Sequence, residues 1–277
     1  MSYVHAVVLG LIQGITEFLP ISSSAHLVLA PHLFGWRDQG LDFDIATNTG
    51  TLLAVIVFFR HELVTLTRAG LASLTPAGRA EGRMPGRRLS PDARLAWLVA
   101  LGTVPVAVAG LLAYHWVATV ARNPLLIAAT SIGFGLLLWW ADAAGSRRRG
   151  VEDVDLVDTV VVGLAQALAL IPGTSRSGIT ITAGLGRGLT REDAARFSFL
   201  LYVPVAVLAA AKELLDLVQG GAPGVGLGPL LVGFAVAAGS AYLTIGALLA
   251  WVQRRSLTVF VVYRVLLGVA ILLAVWI

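Results

Sequence analysis

The sequence predicts an all-α polytopic membrane protein of six transmembrane helices and two re-entrant helical hairpins, arranged as an inverted-topology repeat. Three observations predict it. The 277 residues are 57% hydrophobic and only 13% charged, and they contain several apolar runs of about 20 residues, the length that crosses a bilayer. Two polar clusters, each behind a proline, interrupt apolar runs at Gln13–His26 and Pro172–Gly178. The arginines fall in alternate loops, as expected when the basic loops share the cytoplasmic side. There is no cysteine, which excludes disulfides, thiolate metal sites and cysteine nucleophiles. In such a chain the net charge of +4 reports topology rather than nucleic-acid binding. The amino-terminal apolar run lacks a basic flank and is interrupted by Glu17, so it does not read as a cleaved signal peptide.

The first element is an arm over Val4–Ile12, followed by QGITEFLPISSSAH, residues 13–26. Pro20 lacks an amide hydrogen, disfavours helix at Leu19 and suits the first turn of a new helix. Two short arms joined at a break result, with Ser22, Ser23 and Ser24 capping the second. A polar connection over Gly35–Asp42 leads to a first span, Phe43–Phe59. A long basic loop, Arg60–Arg94, carries Arg68, Arg79, Arg83, Arg87 and Arg88. The second span is Leu95–Tyr114 and the third Leu125–Trp140. After Arg147, Arg148, Arg149 and an acidic cluster comes a second broken segment, Val160–Ile171, PGTSRSG and Ile179–Leu185. A linker over Gly186–Arg196 precedes the fourth span, Phe197–Val218. The fifth is Pro229–Val252 and the sixth Leu257–Ile277, with the uncharged loop Gln219–Gly228 between the fourth and fifth.

The two broken segments align. Gln13 falls on Gln166, Pro20 on Pro172, Ser22 on Thr174 and Ser23 on Ser175, given a shift of one residue, and Phe43 falls on Phe197. One integral membrane domain, 1–277, therefore contains two repeats, about residues 1–142 and 154–277. Three spans per repeat invert the second copy. With the basic loops cytoplasmic and Arg37 and Arg122 outside, the first hairpin dips in from outside and the second from the cytoplasm. Broken helices of inverted repeats meet near the midplane, where such proteins place ligands.

Glu17 carries the strongest functional signal, because a carboxylate inside a bilayer helix costs roughly 3 kcal/mol on insertion scales. Gln13 and Glu17 share a helix face, as do Ser23 and His26. A carboxylate, a hydroxyl and an imidazole form a nucleophile–acid–base set. The bland alternative is that the serines cap, His26 bonds a carbonyl and Glu17 pairs with an arginine. Both tips lead into helix N-termini, at Ser22–Ser24 and at Thr174, Ser175, Arg176 and Ser177, where free amides favour an anion such as phosphate. Arg176 adds a planar fork of donors, or else forms a structural ion pair with Glu17. Glu17 and Gln13 are candidate ligands for Mg²⁺ or Ca²⁺, hard ions that take oxygen donors. Arg264, in the sixth span, reads as structural, snorkelling to the cytoplasmic end.

QGITEFLPISSSAH, then FDIATNTGTLLAV and PGTSRSG, resemble the undecaprenyl-diphosphate phosphatase family associated with bacitracin resistance, over nearly the whole chain. The resemblance implies removal of the terminal phosphate of a C55 polyprenyl diphosphate, recycling a lipid carrier for the cell wall, on the outer side of the bacterial inner membrane. It implies that Glu17, Ser23, His26 and Arg176 are essential. It also implies that Ser22, Ser24, Thr174, Ser175 and Ser177 form a hydroxyl-rich phosphate cradle. Three positions depart from the family pattern. Gln13 stands where many members have a second glutamate, which weakens a two-carboxylate metal site. Ala25 replaces a glycine, and Asn48 stands where glutamine or histidine is commoner. The expected partners are the polyprenyl diphosphate and membrane lipid, with no nucleic acid; a homodimer is a further candidate assembly. Ser23 attack, assisted by His26 or Glu17, and direct attack by water are both open. The rival function is a polyprenyl-phosphate flippase or another inverted-repeat transporter; a membrane scaffold would leave Glu17 and Arg176 unexplained.

Overall fold

The computed structural model describes residues 1–27, 35–36, 39–75, 89–120, 123–220 and 224–276. Among these, all regular secondary structure is helical, and one isolated bridge pairs Arg149 with Leu189. Arg37, Arg79, Arg83, Arg87, Arg88 and Arg122 lie outside the described residues.

Both breaks form where proline requires them. Helix α1, Tyr3–Phe18, stops because Leu19 is extended at φ −68°, ψ 143°, the conformation that the residue before a proline prefers. Helix resumes at residue 23 and is described through 27. In the second segment α6, Leu156–Ala167, passes into a 3₁₀ turn, Leu168–Leu170, and Ile171 is extended at φ −79°, ψ 120° ahead of Pro172. Helix α7, Arg176–Gly186, follows, with the Ser175 side chain accepting from the Gly178 amide.

The remaining helices are α2, Leu41–Phe58; α3, Arg60–Ser73; α4, Pro91–Val120; α5, Pro124–Ala144; α8, Arg191–Gly220; α9, Leu227–Val252; and α10, Thr258–Trp276. Five described helices, α2, α4, α5, α8 and α9, are long and apolar enough to cross a membrane. The expected sixth span, Leu257–Ile277, corresponds to α10, whose apolar part, Thr258–Ala274, belongs with the shorter apolar helices.

The loop expected over Arg60–Arg94 is partly helix. Helix α3 forms there because Leu66 and Gly70, four residues apart, bury one face, and Trp97 of α4 donates its indole N–H to Ser73 at 3.0 Å. The linker expected over Gly186–Arg196 is shorter than supposed. It is closed by Thr190 N–H on the Arg149 carbonyl, 2.9 Å, and α8 already starts at Arg191.

The two halves interlock. Helix α9 packs between α1 and α2, α4 packs against α6 and α8, and α5 packs against α10. Close approach of α1 to α9 needs a glycine at 14, where a Cβ would stand 2.5 Å from the Ala237 carbonyl oxygen. At one end of the bundle the basic loops are tied together. Asp158, fully buried, accepts from Arg149 and from Arg187 at 2.6 Å each. Arg191 pairs with Asp142, and Arg196 with Glu62.

Candidate active site

The hairpin tips meet. Ser177 Oγ donates to the Leu19 carbonyl at 3.0 Å, so the second tip holds the first at its break. Ser22 and Ser175 stand just before the two inner helices at φ 72° and 67°, a left-handed conformation that costs a non-glycine residue of order 1–3 kcal/mol. Each pairs its hydroxyl with that of the second residue on, Ser24 at 3.1 Å and Ser177 at 3.3 Å. Backbone conformation therefore matches Ser22 to Ser175 rather than to Thr174. The register expected from sequence is one residue out here, because Gly173 and Thr174 occupy the place of Ile21 alone. Ser23 and Arg176 then become equivalent positions.

These two positions converge on one carboxylate. Ser23 Oγ donates to Glu17 Oε2 at 2.8 Å. Arg176 Nη2 donates to Glu17 Oε1 at 3.1 Å. Gln13 Nε2 donates to Glu17 Oε2, 3.1 Å, and to Asn48 Oδ1, 2.8 Å. The Glu17 and Arg176 side chains are 14% and 13% exposed, enough for access from one side but shielded enough to strengthen the pairing. The Arg176 guanidinium lies 4.0 Å from the Tyr202 ring centroid and 6.0 Å from that of Phe18, a cation–π contact. It also donates to the Ser198 carbonyl at 3.3 Å. Tyr202 is set in turn by its hydroxyl contact with Thr51, 2.8 Å.

His26 is not bonded to Ser23. Its Nδ1 lies 2.7 Å from the Ser22 carbonyl and its Nε2 lies 2.5 Å from the Tyr263 hydroxyl. Both residues line an apolar groove of about 510 Å³ between α1 and α10. Of the expected phosphate cradle, Ser24 is exposed and Ser23 half-buried, whereas Ser22, Thr174, Ser175 and Ser177 are buried. Ser175 and Ser177 are spent on the Gly178 amide and the Leu19 carbonyl, and Thr174 Oγ1 has no partner among the described residues.

Arg264 is structural, as expected, but in a different way. It is fully buried and does not snorkel. Its guanidinium donates to the carbonyls of Thr174 at 2.9 Å, Gly173 and Ser131 at 3.0 Å, Thr130 at 3.3 Å and Pro20 at 3.5 Å. It thus ties both tips to α5. The fork needs space, and Gly178 supplies it: a Cβ there would stand 2.8 Å from Arg264 Nη1. Arg264, Tyr202 and Tyr263 are the site residues that sequence reasoning missed. The one signal for Arg264 was an arginine inside an apolar helix, and that signal was assigned to the helix end.

The donors around Glu17 offer a divalent cation only a partial shell. Glu17 is the one carboxylate among these groups, and Arg176, Ser23 and Gln13 already donate to its two oxygens. Gln13 Oε1 is buried without a partner among the described residues. One charged oxygen and one neutral acceptor fit an ion that shares its shell with substrate phosphate oxygens rather than one caged by protein alone. Among the described residues no group of three His, Cys, Asp or Glu is placed to hold a metal.

Comparison with known proteins agrees over the whole chain. The family described as bacitracin resistance protein BacA matches residues 6–270. A protein of Magnetococcus marinus named undecaprenyl-diphosphatase is 53% identical over 98% of both chains. One of Thioalkalivibrio sulfidiphilus with the same name is 48% identical over the full length of both. A third, undecaprenyl-diphosphatase 2 of Stutzerimonas stutzeri, is 48% identical over 98% of both.

Proposed function

The chain belongs to the bacitracin resistance protein BacA family, and we propose that it hydrolyses undecaprenyl diphosphate to undecaprenyl phosphate and inorganic phosphate. The observation that carries the chemistry is the convergence of Ser23 and Arg176 on Glu17. Ser23 Oγ attacks the terminal phosphorus. The Oγ–P bond forms, the P–O bond to the bridging oxygen breaks, and the polyprenyl phosphate leaves with the bridging oxygen. Glu17, already bonded to the hydroxyl, takes its proton. A water oxygen then bonds to phosphorus as the Oγ–P bond breaks, Glu17 returns the proton to Ser23 Oγ, and the protons of that water leave on inorganic phosphate.

Arg176 holds the phosphoryl oxygens, which is most of what phosphoryl transfer asks of a protein. Arg176 pairs with Glu17, and an incoming phosphate takes over the guanidinium donors. The Tyr202 ring and the Ser198 carbonyl keep the fork aimed throughout. Glu17 and Gln13 would hold a divalent cation, Mg²⁺ or Ca²⁺, together with the diphosphate, and the ion would supply charge neutralisation. The isoprenoid tail needs only apolar surface, which the half-exposed faces of α1 and α10 offer. The six-span, two-hairpin arrangement in a bacterial inner membrane, with the first hairpin open to the outer side, is part of this reading. Clustering of the tied basic loops at one end of the bundle supports it.

The test is phosphate release from undecaprenyl diphosphate by purified protein in detergent, with Mg²⁺ and with a chelator. One phosphate per lipid is expected, together with a phosphoserine at position 23 on rapid quenching and its loss in Ser23→Ala. No release would refute the function. Full activity of Ser23→Ala would refute the covalent route.

A further inference from the structure

The His26–Tyr263 contact is left unused by the chemistry above. We infer that Tyr263 is a positioning residue, acting through the His26 tautomer to hold the strained Ser22 turn that aims Ser23 at Glu17. The inference rests on the proposed hydrolase reading, because only there does the aim of Ser23 matter.

The tautomer follows from the partners. A carbonyl oxygen only accepts, so the 2.7 Å contact between His26 Nδ1 and the Ser22 carbonyl requires a proton on Nδ1. In the neutral ring Nε2 is then a lone-pair acceptor, and the 2.5 Å contact with Tyr263 is a hydroxyl donating to it. The rings lie nearly parallel, 8° apart. With both nitrogens engaged, His26 is not the group that takes the Ser23 proton; Glu17 already holds that hydroxyl. What His26 does is brace. The carbonyl it grips belongs to a serine at φ 72°, and strain of that kind persists only where the surroundings over-determine it. The peptide unit whose carbonyl His26 holds is the one that leads into Ser23.

Without the Tyr263 hydroxyl, the imidazole is free to carry its proton on Nε2. A lone pair on Nδ1 would then face the lone pairs of the Ser22 carbonyl. The grip becomes a repulsion, the turn relaxes and the Ser23 hydroxyl swings from Glu17. Tyr263 is half-exposed in the apolar groove, so replacing it with phenylalanine removes one polar atom and leaves the packing.

A double-mutant cycle tests the inference, since coupled residues fail to add. His26→Asn keeps an N–H donor near the position of Nδ1–H and has no second nitrogen to hold. Tyr263→Phe should lower kcat about two- to tenfold in the parent, the worth of one hydrogen bond, with KM little changed. In a His26→Asn background the same change should have no effect. Additive losses, a parent-like Tyr263→Phe, or a His26→Asn protein as inactive as Glu17→Gln would each overturn the inference. The last result would make His26 a reacting group. Nitrogen-15 spectra of histidine-labelled protein supply a readout independent of turnover, with His26 identified by its loss in His26→Asn. An Nδ1–H imidazole that gains an Nε2–H population in Tyr263→Phe is expected; an unchanged tautomer would refute the role. Should the purified protein release no phosphate at all, the hydrolase reading falls while the tautomer result still stands.

Discussion

Replacing Arg264 by lysine separates a buried clamp from a charge that merely tolerates lipid. The guanidinium donates to five carbonyl oxygens between 2.9 and 3.5 Å, on Thr174, Gly173, Ser131, Thr130 and Pro20. Lysine keeps the charge but offers three donors from a single nitrogen. At least two of the five carbonyls then lose their donor in a site closed to water. A buried group left unsatisfied costs about 1–3 kcal/mol, so the substitution should cost about 2–6 kcal/mol of stability. The lost contacts fall on both hairpin tips, and misplacing reacting groups by about 1 Å costs roughly a hundredfold in rate. Arg264→Lys should therefore melt several degrees lower in detergent and lose roughly a hundredfold in kcat for phosphate release, with KM much less affected. A variant within about threefold of the parent kcat, with an unchanged melting temperature, would show that charge alone suffices and would refute the clamp.

Arg176→Lys retains a cation but loses the planar fork and its stacking on Tyr202, so phosphate release should fall by about 10²–10³, the worth of a transition-state donor; near-normal release would remove its assigned role. Glu17→Gln keeps the shape of the side chain and removes the base, for a loss of about 10²–10⁴ in kcat, and a phosphoserine that still forms at the parent rate would transfer the proton acceptance elsewhere. Gly178→Ala drives a Cβ to 2.8 Å from Arg264 Nη1 and should reproduce the Arg264→Lys defect; parent-like activity would show that the fork has room to move. In this cysteine-free chain, Ser24→Cys should react with a membrane-impermeant thiol reagent added outside the cell, with protection by substrate. Labelling from the cytoplasmic side alone would reverse the orientation.

The parts of the site that could be read from sequence are those whose physics is local. A proline forbids helix at the residue before it, so the breaks at Leu19 and Ile171 were readable from Pro20 and Pro172. Glu17 and Arg176 are costly in an apolar setting whatever surrounds them, and that cost marked them. The parts that could not be read depend on neighbours distant in the chain. Tyr263 meets His26 across 237 positions and Arg264 meets Pro20 across 244. In one dimension Tyr263 and Arg264 look like an interfacial tyrosine and a snorkelling arginine. Helix α3 was missed for a different reason. Its mixed face of arginine, histidine and threonine reads as loop, and helix is selected there by burial of Leu66 and Gly70. The one-residue register error at the second tip arose because alignment weighs residue identity. The chain instead matches left-handed Ser22 to left-handed Ser175.

That register decides how two tips of matching backbone produce a one-sided site. Each tip offers one position directly after its left-handed serine, and the meeting of the tips aims both positions at the same point. In the first tip that position is Ser23 and in the second it is Arg176, a hydroxyl and a guanidinium that both reach Glu17. Two-fold geometry alone would also supply two carboxylates, one from each outer arm. At the Glu17 equivalent, however, the second arm has Leu170, which follows from the same offset that places Gln166 on Gln13. A second carboxylate would compete with phosphate for Arg176 and add a negative charge beside a diphosphate that is itself anionic, a like-charge contact made more costly by poor solvation. A leucine there removes the competitor. It leaves Gln166 buried with neither amide atom partnered among the described residues, whereas Gln13 has Glu17 and Asn48 to hold. The scaffold brings the tips together, and the difference in four side chains separates the proposed nucleophile and base, Ser23 and Glu17, on one tip from the proposed anion-binding fork, Arg176, on the other.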